Sequence, residues 1–372
     1  MLYLDNSATT KIHPEVKDAM LPYLMEEFGN PSSKYYSVAE NAKAAVKEAR
    51  QSIASLLGCS DSEIIFTSGS TESNNMVIKG VADYYSEKGN HIITTKVEHP
   101  SVLETCEYLE NKGFEVTYLD VDQYGRIHLE ALNNEIKPTT ILVSLIWGNN
   151  ELGSLNDMGA ISKLCEEKNV FLHTDATQVT GKIEIDLSEY PGITFLSCSG
   201  HKFHGPKGIG AAFIKQDQYE ILTKITPLLH GGGQEQGIRS GTLAVHNIVG
   251  MGKAAELAYN TITSNYKKLV SLEKKLNEIL IEKFEGQIHF NNDSKNKIPG
   301  VISVQFKGIN NELLVKKLAP LMAVSTGSAC SSSKPSHVLA AIGLSIDEVR
   351  STIRFSMSSF INEEELDVFK QL

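Results

Sequence analysis

The sequence predicts an α/β protein: a large domain built on a mostly parallel sheet, followed by a smaller α+β domain. Three observations carry this. Between residues 60 and 215, short β-branched apolar runs alternate with amphipathic stretches, the pattern of strand–helix units that assemble a parallel sheet. A Gly-rich break, HGGGQEQGIRSGT at 230–242, separates that alternation from a long stretch dense in Lys, Glu and Leu. The chain has 372 residues, and at roughly 100–200 residues per domain that length is enough for two domains with ample core.

Taken in order, EIIFTSG reads as a strand leading into the helical TESNNMVIKGVADYYSEKG, and HIITTKV as a strand leading into SVLETCEYLENKG. EVTYLDV precedes the helical LEALNNEI, and TTILVSLIWGNN precedes DMGAISKLCEEKN. VFLHTDAT, ITFLSCSG and GIGAAFI follow as strands with little room for helices between them, which allows an antiparallel member near the end of the sheet. Past the break, residues 244–284 keep helical spacing, VISVQF at 301–306 reads as a strand and NELLVKKLA as a helix. No repeat or low-complexity segment interrupts the chain.

Composition narrows the function. Hydrophobic content of 41% and charged content of 22% are ordinary for a globular protein. Asp+Glu 45 against Lys+Arg 35 gives a net charge of −10, and no basic stripe offsets it, so direct nucleic-acid binding is not expected. MLYLDNSATT has neither the basic nor the apolar region of a leader, and no apolar run approaches the roughly 20 residues that span a bilayer. A cytoplasmic protein without membrane contact is expected. The five cysteines are an odd number without C-x-x-C spacing, which argues against a disulfide framework and against a zinc site; no metal is expected.

Four polar clusters stand where predicted strands end: Ser68-Gly69-Ser70-Thr71, Asn149-Asn150-Glu151, Asp175-Ala176-Thr177-Gln178 and Ser199-Gly200-His201-Lys202. Ligands of open α/β sheets bind outside the carboxyl ends of the strands, so these clusters are expected to converge on one crevice. Ser70 and Thr71 open a helix, where backbone N–H groups and hydroxyls favour a phosphate; a plain helix cap is the alternative. The chain has no G-x-x-x-x-G-K-[ST], which weighs against a nucleotide triphosphatase.

Asp175 follows a buried apolar run and needs a partner. A cationic one is worth on the order of 1.4–4 kcal/mol, enough to keep a pyridine nitrogen protonated; helix capping is the alternative. Lys202 follows another such run. Most lysines are solvated, but one desolvated in a crevice becomes an amine nucleophile toward an aldehyde. Phosphate site, carboxylate and lysine together fit pyridoxal 5′-phosphate. His99, after a third strand, is either a structural hydrogen-bonding group or a ring-stacking proton carrier. Cys106, Cys165 and Cys198 read as inert core cysteines, whereas Cys330, among small polar residues, predicts an exposed loop thiol suited to sulfur chemistry.

With these residues in view, the chain resembles the cysteine desulfurases of the NifS/IscS type, class V enzymes of the pyridoxal-phosphate fold type I. The shared motifs are YLDNSATT, FTSGSTESNN, EHPS, NNELG, DATQ, SGHKFHGPKGIG, HGGGQEQGIRSGT, STGSAC and IRFS, in order from residue 3 to 356. The resemblance implies a large cofactor domain with a mostly parallel seven-stranded sheet over residues 15–255, and a small domain from 1–14 and 256–372 that carries the Cys330 loop. It implies that Lys202 bonds the cofactor aldehyde, Asp175 pairs with the ring nitrogen, Gln178 bonds the ring oxygen and His99 stacks on the ring. Ser70, Thr71, Ser199 and His201 would hold the phosphate, joined by Thr242 from the other subunit of a homodimer. Asn150, also among the cofactor-binding residues, and Arg354 would bind the carboxylate of L-cysteine.

By the same resemblance, the Cys330 thiolate takes the substrate sulfur, leaves as a persulfide with L-alanine as the other product, and delivers sulfur to an acceptor protein. Three departures stand out: four residues, Ser331 to Lys334, separate Cys330 from Pro335; Gln236 stands where the family often has Arg; and the chain ends at Leu372 without the longer tail that cluster-assembly enzymes use to dock their scaffold. The acceptor is open among an iron–sulfur scaffold, a tRNA-thiolating enzyme and a DNA phosphorothioation complex. Competing readings are another class V enzyme that does not need Cys330, a cofactor-free sulfurtransferase, and a hydrolase pairing Cys330 with His337.

Overall fold

The structure, a computed structural model, describes residues 1–327 and 335–371. In chain order its elements are β1 (Leu2–Tyr3), α1 (Pro14–Met25), α2 (Ser37–Leu57), β2 (Ile64–Thr67), α3 (Ser70–Tyr84), β3 (His91–Thr95), α4 (Pro100–Glu110), β4 (Glu115–Leu119), α5 (Leu129–Glu135), β5 (Thr140–Ile146), α6 (Met158–Glu167), β6 (Phe171–Asp175), β7 (Ile193–Ser199) and β8 (Gly210–Ile214). The long α7 (Val245–Lys283) comes next, then β9 (Ile288–Phe290), β10 (Val301–Phe306), α8 (Asn311–Leu318), β11 (Met322–Ala323), α9 (His337–Ala341), α10 (Ile346–Val349) and β12 (Thr352–Ser356).

Seven of the strands form one sheet in the order β2-β8-β7-β6-β5-β3-β4. β8 runs antiparallel to both β2 and β7, and every other neighbour pair is parallel. This is the α/β class the alternation predicts, with its antiparallel member near one edge. β5, β7 and β8 are buried at every residue because helices cover both faces, which is why they read as continuous apolar runs rather than alternating ones. The parallel strands share one direction, so their carboxyl ends lie along one edge of the sheet.

β10 pairs antiparallel with β12 on one side and β9 on the other, and β1 pairs parallel with β11. These strands pack on a separate apolar cluster that includes Leu4, Leu272, Leu276, Val304 and Phe355. α7 serves both cores: its first half contributes Ile248, Met251 and Ala255 to the large one, and its second half Leu269, Leu272, Leu276 and Leu280 to the small one. The helix periodicity past the break therefore marks a single 39-residue helix.

α1 and α2, unread from the sequence, pack against α7. α2 carries Ala at 39, 42, 45, 49 and 54 on its buried face, and small residues let helix axes approach. A Cβ at Gly252 would lie 2.5 Å from the Cα of Ala49, so only glycine fits at that crossing.

Candidate active site

The strand-end clusters do converge. Ser70, Thr71, Asn150, Asp175, Gln178 and Lys202 line one cavity of about 230 Å³, with His99, His201 and Arg354 also on its wall. The position of each follows from the element that carries it. Asp175 is the last residue of β6, Lys202 lies in a short helical turn just beyond β7, and Ser70 and Thr71 open α3.

Asp175 is 3% exposed. Its Oδ2 accepts from Asn74 Nδ2 at 2.8 Å and its Oδ1 from the Thr177 N–H at 3.0 Å. Asn74, buried on α3, spends its second amide hydrogen on Ser101 Oγ at 2.9 Å. Ser101 Oγ lies 2.8 Å from His99 Nδ1, which also accepts from the Ser101 N–H at 3.1 Å. With Nδ1 accepting, a neutral imidazole carries its hydrogen on Nε2. Burial holds the His99 pKa below its ordinary value, with Asp175 opposing and Lys202 and His337 adding to the effect, so the neutral ring is the resting form. Asn74 thus ties the carboxylate to the imidazole; no sequence signal beyond its place in FTSGSTESNN marks it.

Lys202 Nζ donates to the Ser7 carbonyl at 2.6 Å and the Ala8 carbonyl at 2.9 Å. These acceptors belong to the N-terminal segment, which crosses from the small core to the large site: the Asn6 N–H donates to the Ser356 carbonyl. Gln178 Nε2 donates to the same Ser7 carbonyl at 2.9 Å. His201 Nδ1 lies 3.1 Å from Thr9 Oγ1, and burial, with Lys202, Lys207 and Lys182 nearby, pushes its pKa down to about 4.

Arg354 enters from β12 and is 2% exposed. Its Nη2 donates to Asp5 Oδ1 at 2.7 Å and its Nη1 to the Asn150 carbonyl at 2.9 Å, while Nε has no partner. Glu98, beside His99, is fully buried and accepts from Thr95 Oγ1 and the Ile146 N–H. Burial, with Asp175 adding to it, pushes it up to about 8 against those bonds, which favours the neutral acid.

Two expected phosphate residues are not on this wall. The Ser199 hydroxyl turns away and donates to the Ile209 carbonyl at 3.4 Å, and Thr242 is exposed, outside the cavity of its own chain. Cys330 lies outside the described residues. Cys106, Cys165 and Cys198 are buried, and burial pushes each thiol up to about 12, which makes them inert as nucleophiles.

Pyridoxal 5′-phosphate fits the donor set. An amine, a carboxylate on buried neutral donors and a helix N-terminus with two hydroxyls face one space, matching an aldehyde, a protonated ring nitrogen and a phosphate. Buried, unpartnered Ser7 Oγ and Thr177 Oγ1 lie on the same wall. The cradle at the phosphate end depends on glycine: a Cβ at Gly210 would lie 2.5 Å from Gly69 Cα and displace the turn that presents α3.

The sequence matches the family described as aminotransferase class-V over residues 2–369. A protein of Rickettsia massiliae named cysteine desulfurase IscS is 44% identical over 369 residues, which cover 98% of this chain and 88% of that one. A solved structure titled NifS-like protein superposes with a TM-score of 0.92 at 37% identity, covering 100% of this chain and 97% of the other. Another, titled SspA in complex with cysteine, gives a TM-score of 0.84 at 37% identity, covering 96% and 99%.

Proposed function

The chain belongs to the aminotransferase class-V family and is a pyridoxal-phosphate-dependent cysteine desulfurase, and from that premise we propose how its own residues divide the work. The observation that carries the assignment is the convergence of the Lys202 amine, the Asp175 carboxylate and the N-terminus of α3 on one cavity.

The cofactor, when bound, supplies an electron sink that loosens the α-proton and the Cβ–S bond of an attached amino acid. Lys202 Nζ, which donates to the Ser7 and Ala8 carbonyls, is the amine that would hold the aldehyde and that would move the α-proton of the substrate. Asp175, aimed by Asn74 and the Thr177 N–H, would hold the ring nitrogen in its protonated form. His99 presents a neutral ring with Nε2–H toward the cavity. Gln178 donates to the ring oxygen. The N-terminus of α3, with Ser70, Thr71 and His201, would take the phosphate; Ser199 would join this set only by turning its hydroxyl from the Ile209 carbonyl, and Thr242 would reach the site of the partner subunit.

Arg354 and Asn150 bind the carboxylate of L-cysteine, and the pairing of Arg354 with Asp5 keeps its guanidinium oriented before substrate arrives. The Cys330 thiolate attacks the substrate sulfur: an S–S bond forms, the Cβ–S bond breaks, and its electron pair stays with the carbon fragment, which takes up a proton and departs as L-alanine. The persulfide on Cys330 passes to an acceptor protein, with an iron–sulfur scaffold, a tRNA-thiolating enzyme and a DNA phosphorothioation complex as the candidates.

Exposed apolar side chains such as Met25, Phe28 and Leu229 support a homodimer, as does Thr242 lying outside its own cavity. Of the apolar clusters, the largest lies mainly within 15–255, though Ala258, Ile298 and Val301 join it, and a second draws on Leu2, Leu4 and residues from 269 to 369, which supports a cofactor domain over 15–255 and a small domain from 1–14 and 256–372. Among the described residues no helix is long and apolar enough to cross a membrane; the acidic composition fits a cytoplasmic enzyme.

Borohydride reduction of the protein loaded with cofactor, followed by peptide mapping, is expected to place a pyridoxyl group on Lys202. A label elsewhere, or none, overturns the assignment.

A further inference from the structure

Gln178 lines the site above. A second cavity, of about 320 Å³, shares Lys202 with that site and is lined by Gly181, Lys182, Lys202 and Phe203 among others. Lys182, on the wall of this second cavity, donates from Nζ to Gln178 Oε1 at 2.9 Å. On the other side, Gln178 Nε2 donates to the Ser7 carbonyl at 2.9 Å.

These two contacts decide which way the carboxamide faces. A lysine amine offers hydrogens to Oε1 and a carbonyl can only accept, so the oxygen must face Lys182 and the NH₂ must face Ser7. The NH₂ carries two hydrogens. One meets Ser7, and the other remains for a ligand in the first cavity.

The two clamps differ in constancy. The Ser7 carbonyl is shared with Lys202 Nζ, the amine that changes its covalent state during turnover. Lys182 grips the amide at Oε1 and undergoes no such change. It sits one helical turn past Gln178, in the segment after β6, where a side chain four residues on can reach back.

We propose that Lys182 is a positioning residue: by holding Gln178 Oε1 it aims the Nε2 hydrogen at the ring oxygen of pyridoxal 5′-phosphate and keeps it there through turnover. This rests on the reading of the first cavity as the cofactor site. Burial, with the charges of Lys202 and Arg354 adding to it, pushes the Lys182 ammonium down to about 7. The contact survives that titration, since a neutral amine still has hydrogens to donate. Lys182 also bears on His201 and His204, whose pKa values it helps to lower.

The test is a double-mutant cycle on the holoenzyme, read by the pH midpoint of the bound cofactor's visible absorbance and by cofactor retention. Lys182→Met is expected to raise the midpoint by about 0.5–1 pH unit and to weaken retention about 5- to 10-fold, because an anionic ring oxygen loses an oriented donor. In a Gln178→Ala background the same substitution is expected to move both by clearly less, leaving only the part due to the charge removed near Lys202. Lys182→Arg, which keeps a donor, is expected to stay within about 0.3 pH unit of the parent; Lys182→Ala replaces the methionine variant if that one does not fold. Equal shifts with and without Gln178, an arginine variant that shifts like methionine, or no shift in either background each overturn the proposal. A parent protein that stays colourless with the cofactor overturns the reading of the cavity itself, and so is told apart from a yellow parent whose Lys182 variants are unchanged.

Discussion

Asp175 and Arg354 are both nearly inaccessible and line the same cavity, yet they are held in unlike ways. Asp175, at the end of a strand in the seven-stranded sheet, is gripped by neutral donors, the Asn74 carboxamide and the Thr177 N–H. Arg354, from the three-stranded sheet, meets a full negative charge in Asp5. Neutral donors fix the direction of a carboxylate without neutralising it, which suits the role proposed for Asp175 of keeping a ring nitrogen protonated. A counter-ion offsets the cost of a buried guanidinium while leaving donors for an incoming carboxylate. On the proposed reading, the large sheet would supply the charge for the chemistry, and the small one a fork oriented beforehand for the substrate.

The sharpest break of this division is a pair of substitutions with the same loss of activity and opposite spectra. Lys202→Ala and Cys330→Ser should each cut sulfide release from L-cysteine by about a thousandfold or more. The alanine variant should lose the borohydride-reducible cofactor link, and the serine variant should keep its yellow colour. Undiminished desulfuration by Cys330→Ser would reject the persulfide step.

Next, Asp175→Asn should lower kcat about 100- to 1000-fold with the cofactor still attached to Lys202, since the amide keeps the shape but not the charge. A loss of less than tenfold, measured by single-turnover kinetics, would mean that the charge is not what the large sheet contributes.

Glu98 tests the buried electrostatics of the same region. Its folded pKa is raised from the ordinary 4.5 to about 8, so the stability it lends is complete below 4.5 and is lost as pH rises toward 8. Between pH 5 and 7 the wild type should lose about 2–3 kcal/mol relative to Glu98→Gln, read from urea midpoints at the two pH values. Parallel pH profiles for the two proteins would show that Glu98 ionises normally.

The smallest effect belongs to the small sheet. Arg354→Lys keeps a cation near Asp5 but gives up the planar fork, and should raise KM for L-cysteine about tenfold with an unchanged cofactor spectrum. A fall in kcat at constant KM would move Arg354 from substrate binding to chemistry.

Much of this was legible beforehand. The strand ends announced the cavity because a buried strand must be apolar, so a polar cluster just past it has a reason to be there. Asp175, Lys202 and the start of α3 stand out on that ground, and the motif resemblance supplied roles for Gln178, His99 and Arg354. Cys330 was singled out by its polar neighbours and lies outside the described residues. Asn74, Glu98 and Lys182 were not read. Asn74 and Lys182 sit in segments whose other residues explained them, and Glu98 would have passed for an ordinary surface carboxylate.

The sequence by itself determined the fold class, a long helical region over about 244–284 and the residue types of the site, because periodicity and strand-end chemistry are local properties. Only the tertiary structure decided which backbone carbonyls receive the Lys202 amine, which acid faces Arg354 and which side of Gln178 is turned to the cavity. The first two contacts join residues 195 and 349 positions apart, and the last depends on the Ser7 carbonyl, 171 positions from Gln178. No spacing in a chain encodes a meeting of that kind; it follows from closing the N-terminal segment across both sheets, where each buried donor must find an acceptor.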